Sequence, residues 1–114
     1  MALPEFTKQL FESKLSSYCE RRVPLHIRDR VKLAFKIRGN SVTLFEQRPV
    51  YWEKSKWIDI PVAQFRFNPS RSLWTLYCAD RNSKWHEYLL TEPTRDFDVL
   101  LIEVEKDPTG IFWG

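Results

Sequence analysis

Residues 31–48, VKLAFKIRGNSVTLFEQR, carry the decision about the fold. Val31, Leu33, Phe35 and Ile37 alternate with Lys32, Ala34, Lys36 and Arg38, the period of two that marks a strand buried on one face. Gly39-Asn40 suits the two-residue II′ turn of a β-hairpin, which pairs Arg38 with Ser41. Counting from that pair, Ile37 meets Val42, Phe35 meets Leu44 and Leu33 meets Glu46. A carboxylate therefore lands on the apolar face, where a lone charge is costly unless a cation joins it. Arg48, two residues on, is the first partner expected, with Arg28 and Arg30 as the others. A buried Glu46–Arg48 ion pair is expected ahead of a general acid or base at Glu46.

Downstream, VAQFRF (62–67) and SLWTLYCAD (72–80) read as a second hairpin around the turn NPSR (68–71). A four-residue loop sets Phe65 opposite Trp74 and Ala63 opposite Leu76. A three-residue turn, RNS (81–83), then leads into KWHEYLL (84–90) and sets Asp80 opposite Lys84, Cys78 opposite His86, and Leu76 opposite Tyr88. Between the hairpins, RPVYWEKSKW (48–57) reads as a loop. TRDFDVLLIEVEKD (94–107) places Phe97, Leu100, Leu101 and Val104 at helical spacing, with acids in the first turn; Val99, Ile102 and Val104 leave a strand as the alternative. Upstream, residues 3–20 read as a helix with Phe6, Leu10, Phe11, Leu15, Tyr18 and Cys19 on a broad apolar face, and Pro24 ends it within the basic connector ERRVPLHIRDR (20–30).

The expected architecture is α+β: one domain, 1–114, with an antiparallel meander of about five strands and the N-terminal and C-terminal helices packed on one face. A length of 114 residues suits one core and not two, and 43% hydrophobic with 29% charged residues excludes a disordered or collagen-like chain. Three glycines, at 39, 110 and 114, exclude a glycine-rich phosphate loop. No window approaches a membrane span and the first residues, MALPEFTKQLFESKL, lack the pattern of a signal peptide, so no membrane partner and a cytoplasmic location are expected. The net charge of +3 favours an anionic partner without marking a dedicated nucleic-acid binder.

Three blocks carry a resemblance: RDRVKLAFKIRGNSVTLFEQRPVYW (28–52), VAQFRFNPSRSLWTLYCADRNSKWHEY (62–88) and DPTGIFWG (107–114). Together they resemble a small bacterial family catalogued as a domain of unknown function, DUF3024. The resemblance implies a bacterial, single-domain protein and brings no catalytic residue with it. Where the family pattern places a Trp after its "LY" pair this chain has Cys78, so no shared chemistry is carried to that thiol. Similar endings in the family also favour a folded tail: Pro108 stops the last helix, Gly110 permits a turn, and Ile111, Phe112 and Trp113 lie back on the core.

Cys19, Cys78 and His86 are too scattered for the four close ligands of a structural zinc site, and no third residue orients a Cys78–His86 nucleophile and base. Neither a metal nor a cofactor is expected. Asp59, Asp80 and Glu46 lack the spacing to a lysine that a metal-dependent nuclease shows.

What remains is the sheet face turned away from the helices. In the registers above it displays Lys32, Lys36, Arg38, Thr43, Phe45, Gln64, Arg66, Thr75, Tyr77, Trp85 and Glu87. Cations interleaved with rings on an open sheet suit single-stranded nucleic acid, with Lys36 and Arg66 on phosphates, Tyr77 and Trp85 stacking on bases, and Phe45 completing the candidate face. The plainer alternative is a solvated face covered by residues 49–57 or by a second copy of the chain. The functional expectation is a non-enzymatic binding module acting through this face, by weak single-strand binding or a homodimer interface. A small hydrolase or nuclease whose acidic site the sequence does not display is the alternative.

Overall fold

The computed structural model describes residues 3–113. The elements run α1 (Glu5–Arg22), a 3-10 turn (Leu25–Ile27), β1 (Lys32–Arg38), β2 (Ser41–Val50), β3 (Glu53–Asn68), β4 (Leu73–Ala79), β5 (Trp85–Glu87) and α2 (Phe97–Lys106). The five strands form one antiparallel sheet in sequence order. Both helices pack on its inner face, so the chain has the α+β architecture expected. The Gly39-Asn40 turn sets the β1–β2 register as counted, with Ile37 opposite Val42, Phe35 opposite Leu44 and Leu33 opposite Glu46. Gly39 has φ +57°, a left-handed conformation that glycine adopts without strain.

The core joins the buried stripe of α1 (Phe11, Leu15, Tyr18, Cys19) and that of α2 (Phe97, Leu100, Leu101, Val104) to the inward side chains of the sheet. Phe97 lies at its centre, with ring centroids 4.6–5.1 Å from those of Phe11, Phe65 and Trp74. Asp96 caps α2, its side chain accepting the Asp98 N–H at 3.0 Å, and Val99 and Ile102 face solvent. The helical reading of this segment is the correct one.

Four expectations are corrected. Phe6 and Leu10 are exposed, at 78% and 54%. At 3.6 residues per turn they lie roughly 120–165° around α1 from the stripe through Phe11, Leu15, Tyr18 and Cys19, so spacings of four joined two separate faces. In the second hairpin Phe67, not Phe65, meets Trp74, and Phe65 meets Leu76, a slip of two residues. Asn68 causes it: its side chain accepts the N–H groups of Ser70 and Arg71, so Asn68 closes the ladder opposite Leu73 and the loop moves one residue on, with Ser72 left-handed at φ 54°. A slip of two keeps every side chain on its expected face.

The third correction concerns residues 49–57, which form no loop; β2 runs to Val50 and β3 starts at Glu53, leaving Tyr51 and Trp52 as the tip of a long hairpin. Residues 48–50 and 53–62 have no partner on β1 or β4, so the hairpin continues as a free two-stranded ribbon. The fifth strand, finally, is shorter than expected. It ends at Glu87, and the chain turns away after Tyr88, which is buried against Phe112 and leaves Leu89 and Leu90 exposed.

Candidate nucleic-acid interface

One row of outward side chains crosses all five strands: Lys36, Thr43, Gln64, Tyr77 and Glu87 stand opposite one another in turn. Hydrogen bonds tie its centre together. The Gln64 amide donates to Thr43 Oγ1 at 3.0 Å, and its carbonyl oxygen accepts from Arg66 Nε at 2.7 Å. Arg66, so oriented, lies over Tyr77, with the guanidinium carbon 3.9 Å from the ring centroid. That distance is well within cation–π range.

Two similar pairs stand on the same face. Lys36 Nζ lies 5.6 Å from the Phe45 centroid, and Lys32 Nζ lies 4.4 Å from that of Trp57. A β-bulge makes the second pair. Leu44 pairs with Ala63 but Phe45 pairs with Pro61, so Val62 is the extra residue, and beyond it Gln47 meets Asp59 and Pro49 meets Trp57. Without the extra residue β3 would present Ile58 and Ile60 outward and turn Asp59 and Trp57 to the other face. Lys36, Arg38, Thr43, Phe45, Asp59 and Gln64 line a shallow recess of 530 Å³ here.

The five face residues named from sequence are placed unequally. Lys36 and Arg66 are exposed, Tyr77 and Trp85 are half-buried, and Phe45 is only 7% exposed. Phe45 therefore supplies the floor of the recess rather than a free stacking surface. Trp85 pairs with Ala79 on the short edge strand, away from the row through Tyr77. Trp57 was missed because its segment read as loop; the alternation of Trp57, Asp59 and Pro61 was the available signal, but its face depends on the bulge.

Glu46 and Arg48 meet at 3.0 Å, with the Glu46 side chain 15% exposed and that of Arg48 51% exposed. The pair is thus sheltered on the carboxylate side only and opens toward solvent at the guanidinium. Arg28 is committed elsewhere, donating to the Val23 and Glu20 carbonyls at the end of α1.

The other candidates do not converge. Asp59 accepts from Gln47 at 3.0 Å, and Asp80 clamps its own turn by accepting the Asn82 and Lys84 N–H groups. The second Asp80 oxygen stands 2.7 Å from His86 Nε2, and hydrogen bonding with His86, then with the Lys84 backbone, holds the carboxyl below the usual range. The Cys78 thiol donates to the His86 carbonyl oxygen at 3.6 Å, and the ring nitrogen is turned to Asp80. Among the described residues no group of three His, Cys, Asp or Glu is placed to hold a metal ion, and no helix is long and apolar enough to cross a membrane.

Burial pushes the Cys19 thiol up to about 11 and raises that of Cys78 as well. Both thiols should be silent to a disulfide reagent in the native protein at about pH 8 and should react fully once the chain is unfolded in guanidinium. Rapid native labelling of Cys78 would mean that the sheet opens at its β4–β5 edge.

No curated protein and no solved structure matches the chain. The family described as "Domain of unknown function (DUF3024)" matches residues 3–114, including both hairpins, α2 and the folded tail, and to that family the chain belongs.

Proposed function

We propose that the outward sheet face is a non-enzymatic binding surface for single-stranded nucleic acid, weak and nearly indifferent to sequence. The observation that carries the reading is the set of three cation–ring pairs on one face: Lys32 on Trp57, Lys36 on Phe45 and Arg66 on Tyr77. The Lys32–Trp57 and Arg66–Tyr77 pairs each hold a phosphate partner beside an aromatic surface, and Lys36 adds a cation above the buried Phe45 floor, the combination that tracks a strand by charge and stacking. The Arg66 guanidinium plane, seated on Tyr77, itself provides a stacking surface for a base. Gln64 donates to Thr43 and accepts from Arg66, so the polar groups that could read base edges are already engaged, which favours tolerance of sequence.

The test is a fluorescence titration with labelled oligonucleotides at several salt concentrations. Each neutralised phosphate on a single strand contributes a log-log slope of about 0.7. Arg66→Ala should weaken binding and lower the slope by about that amount. Trp85→Ala should weaken binding and leave the slope unchanged, because a ring releases no counterions. Tyr77→Ala should be non-additive with Arg66→Ala, since the ring is the platform on which the guanidinium rests. Absence of binding at low salt, or a stable dimer that binds only after dissociation, would overturn the reading and leave this face as an oligomer contact.

A further inference from the structure

The most exposed ring among the described residues, Tyr51, is not on the sheet face but at the tip of the β2–β3 ribbon, where Trp52 stands beside it. Tyr51 is 91% exposed and Trp52 67% exposed, and their centroids lie 4.9 Å apart with planes at 89°. Neither is covered, yet they brace each other edge to face, which lowers the cost of presenting an apolar ring to water. The flank after the tip is cationic: Lys54 and Lys56 stand against the single carboxylate Glu53, while Arg48 is already paired with Glu46. From Phe45, on the floor of the recess, to Tyr51 is six strand residues, about 20 Å. Lys32 and Trp57, at the root of the ribbon, continue the sheet face toward it.

Resting on the proposed single-strand function of the sheet face, we infer that the protein recognises a junction between single strand and duplex: the tail lies on the sheet, and the Tyr51–Trp52 tip stacks on the terminal base pair of the adjoining duplex. A terminal pair presents one flat, dehydratable π-face, which one ring can cover while the perpendicular ring supports it. The cations beside the tip meet the closely spaced phosphates of the duplex end. A lipid surface is the less fitting partner, because the apolar tip is only two rings wide and the acidic Glu53 comes directly after it.

The experiment compares two labelled probes at one salt concentration: a single-stranded tail alone, and the same tail joined to a short duplex. Wild type should bind the tailed duplex about tenfold more tightly than the tail, the scale of one stacking contact. Trp52→Ala should bring that ratio near one and leave the affinity for the tail unchanged, while Trp52→Phe should keep most of the preference. Charge alone does not mimic this result, since none of the variants alters a charge. Equal affinity of wild type for both probes, an equal loss on both in Trp52→Ala, or loss confined to sedimentation with phosphatidylserine vesicles would each overturn the inference. Binding of the tail alone reports on the sheet face and the ratio reports on the tip, so the two readings fail separately.

Discussion

A chain that stops at Gly110 will lose its fold or melt some 15–30 °C lower than the intact protein. The residues removed are tied firmly to the core. Asp107 ends α2 in the left-handed conformation, φ 43°, and its carboxylate accepts the N–H groups of Phe112 at 3.1 Å and Trp113 at 2.9 Å. That double acceptor turns the tail back on the core. Phe112 is buried against Tyr88, and the Trp113 indole donates to the Val104 carbonyl at 2.8 Å beneath the Arg22 guanidinium. Removing one buried aromatic ring costs about 3–5 kcal/mol, out of a total stability of about 5–15 kcal/mol. At about 4–8 °C per kcal/mol for a domain of this class the shift is tens of degrees. Ile111, at 47% exposed, provides the internal control: Ile111→Ala should move the melting temperature by only a few degrees, whereas Phe112→Ala should reproduce most of the truncation. An unchanged melting curve for the truncated chain, monitored by circular dichroism, would show that the tail contributes nothing to the core.

The Phe112 neighbour Tyr88 adds a second tie to α2, donating to Glu103 at 2.7 Å, and Tyr18 does the same to Glu105 at 2.6 Å from the other side. Burial first, and then the glutamate, pushes the Tyr88 hydroxyl up to about 12 and that of Tyr18 upward too. Both phenols thus remain protonated donors through the neutral range, and α2 is anchored by sheet, tail and α1 together.

These ties were not readable in advance, whereas the frame that holds them was. The first hairpin was legible because a two-residue turn fixes register outright, and strict alternation then assigns every side chain to a face. The second hairpin slipped by two because an Asn side chain bonding to backbone competes with the ladder for its own turn, a choice that spacing does not disclose. Phe6 and Leu10 were misassigned because two short runs of four-residue spacing look like one stripe until their angles around the helix are traced. Of the proposed face, the cations and Tyr77 were legible, because they lie on regular strands. Its pairing was not. Lys32 reaches Trp57 across an intervening strand, and only the extra residue Val62 turns Trp57 to that side.

Replacing Lys32, Lys36, Arg38 and Arg66 together by Gln should reduce affinity for a single strand by several hundredfold at about 0.1 M salt. Four neutralised phosphates correspond to a slope of about 2.8, and at about 0.1 M salt that slope amounts to nearly three decades of the association constant. The residual slope should fall close to zero. The fold should survive, because the lost cation–ring contacts contribute about 0.5–1 kcal/mol each at exposed sites and three of them are removed. A thermal melt checks this before any titration is interpreted. The matched control removes four positive charges from outside the sheet face, Lys8, Arg21, Arg30 and Lys106, with the same change in net charge. If the interaction were a diffuse attraction to a basic protein, both variants would lose affinity alike. If the phosphates run along the sheet, the control should lose no more than a fewfold and keep its slope. A face variant that still binds with a slope above about 2 would move the phosphate path off the sheet and toward the connector between α1 and β1, where Arg21, Arg22, Arg28 and Arg30 cluster.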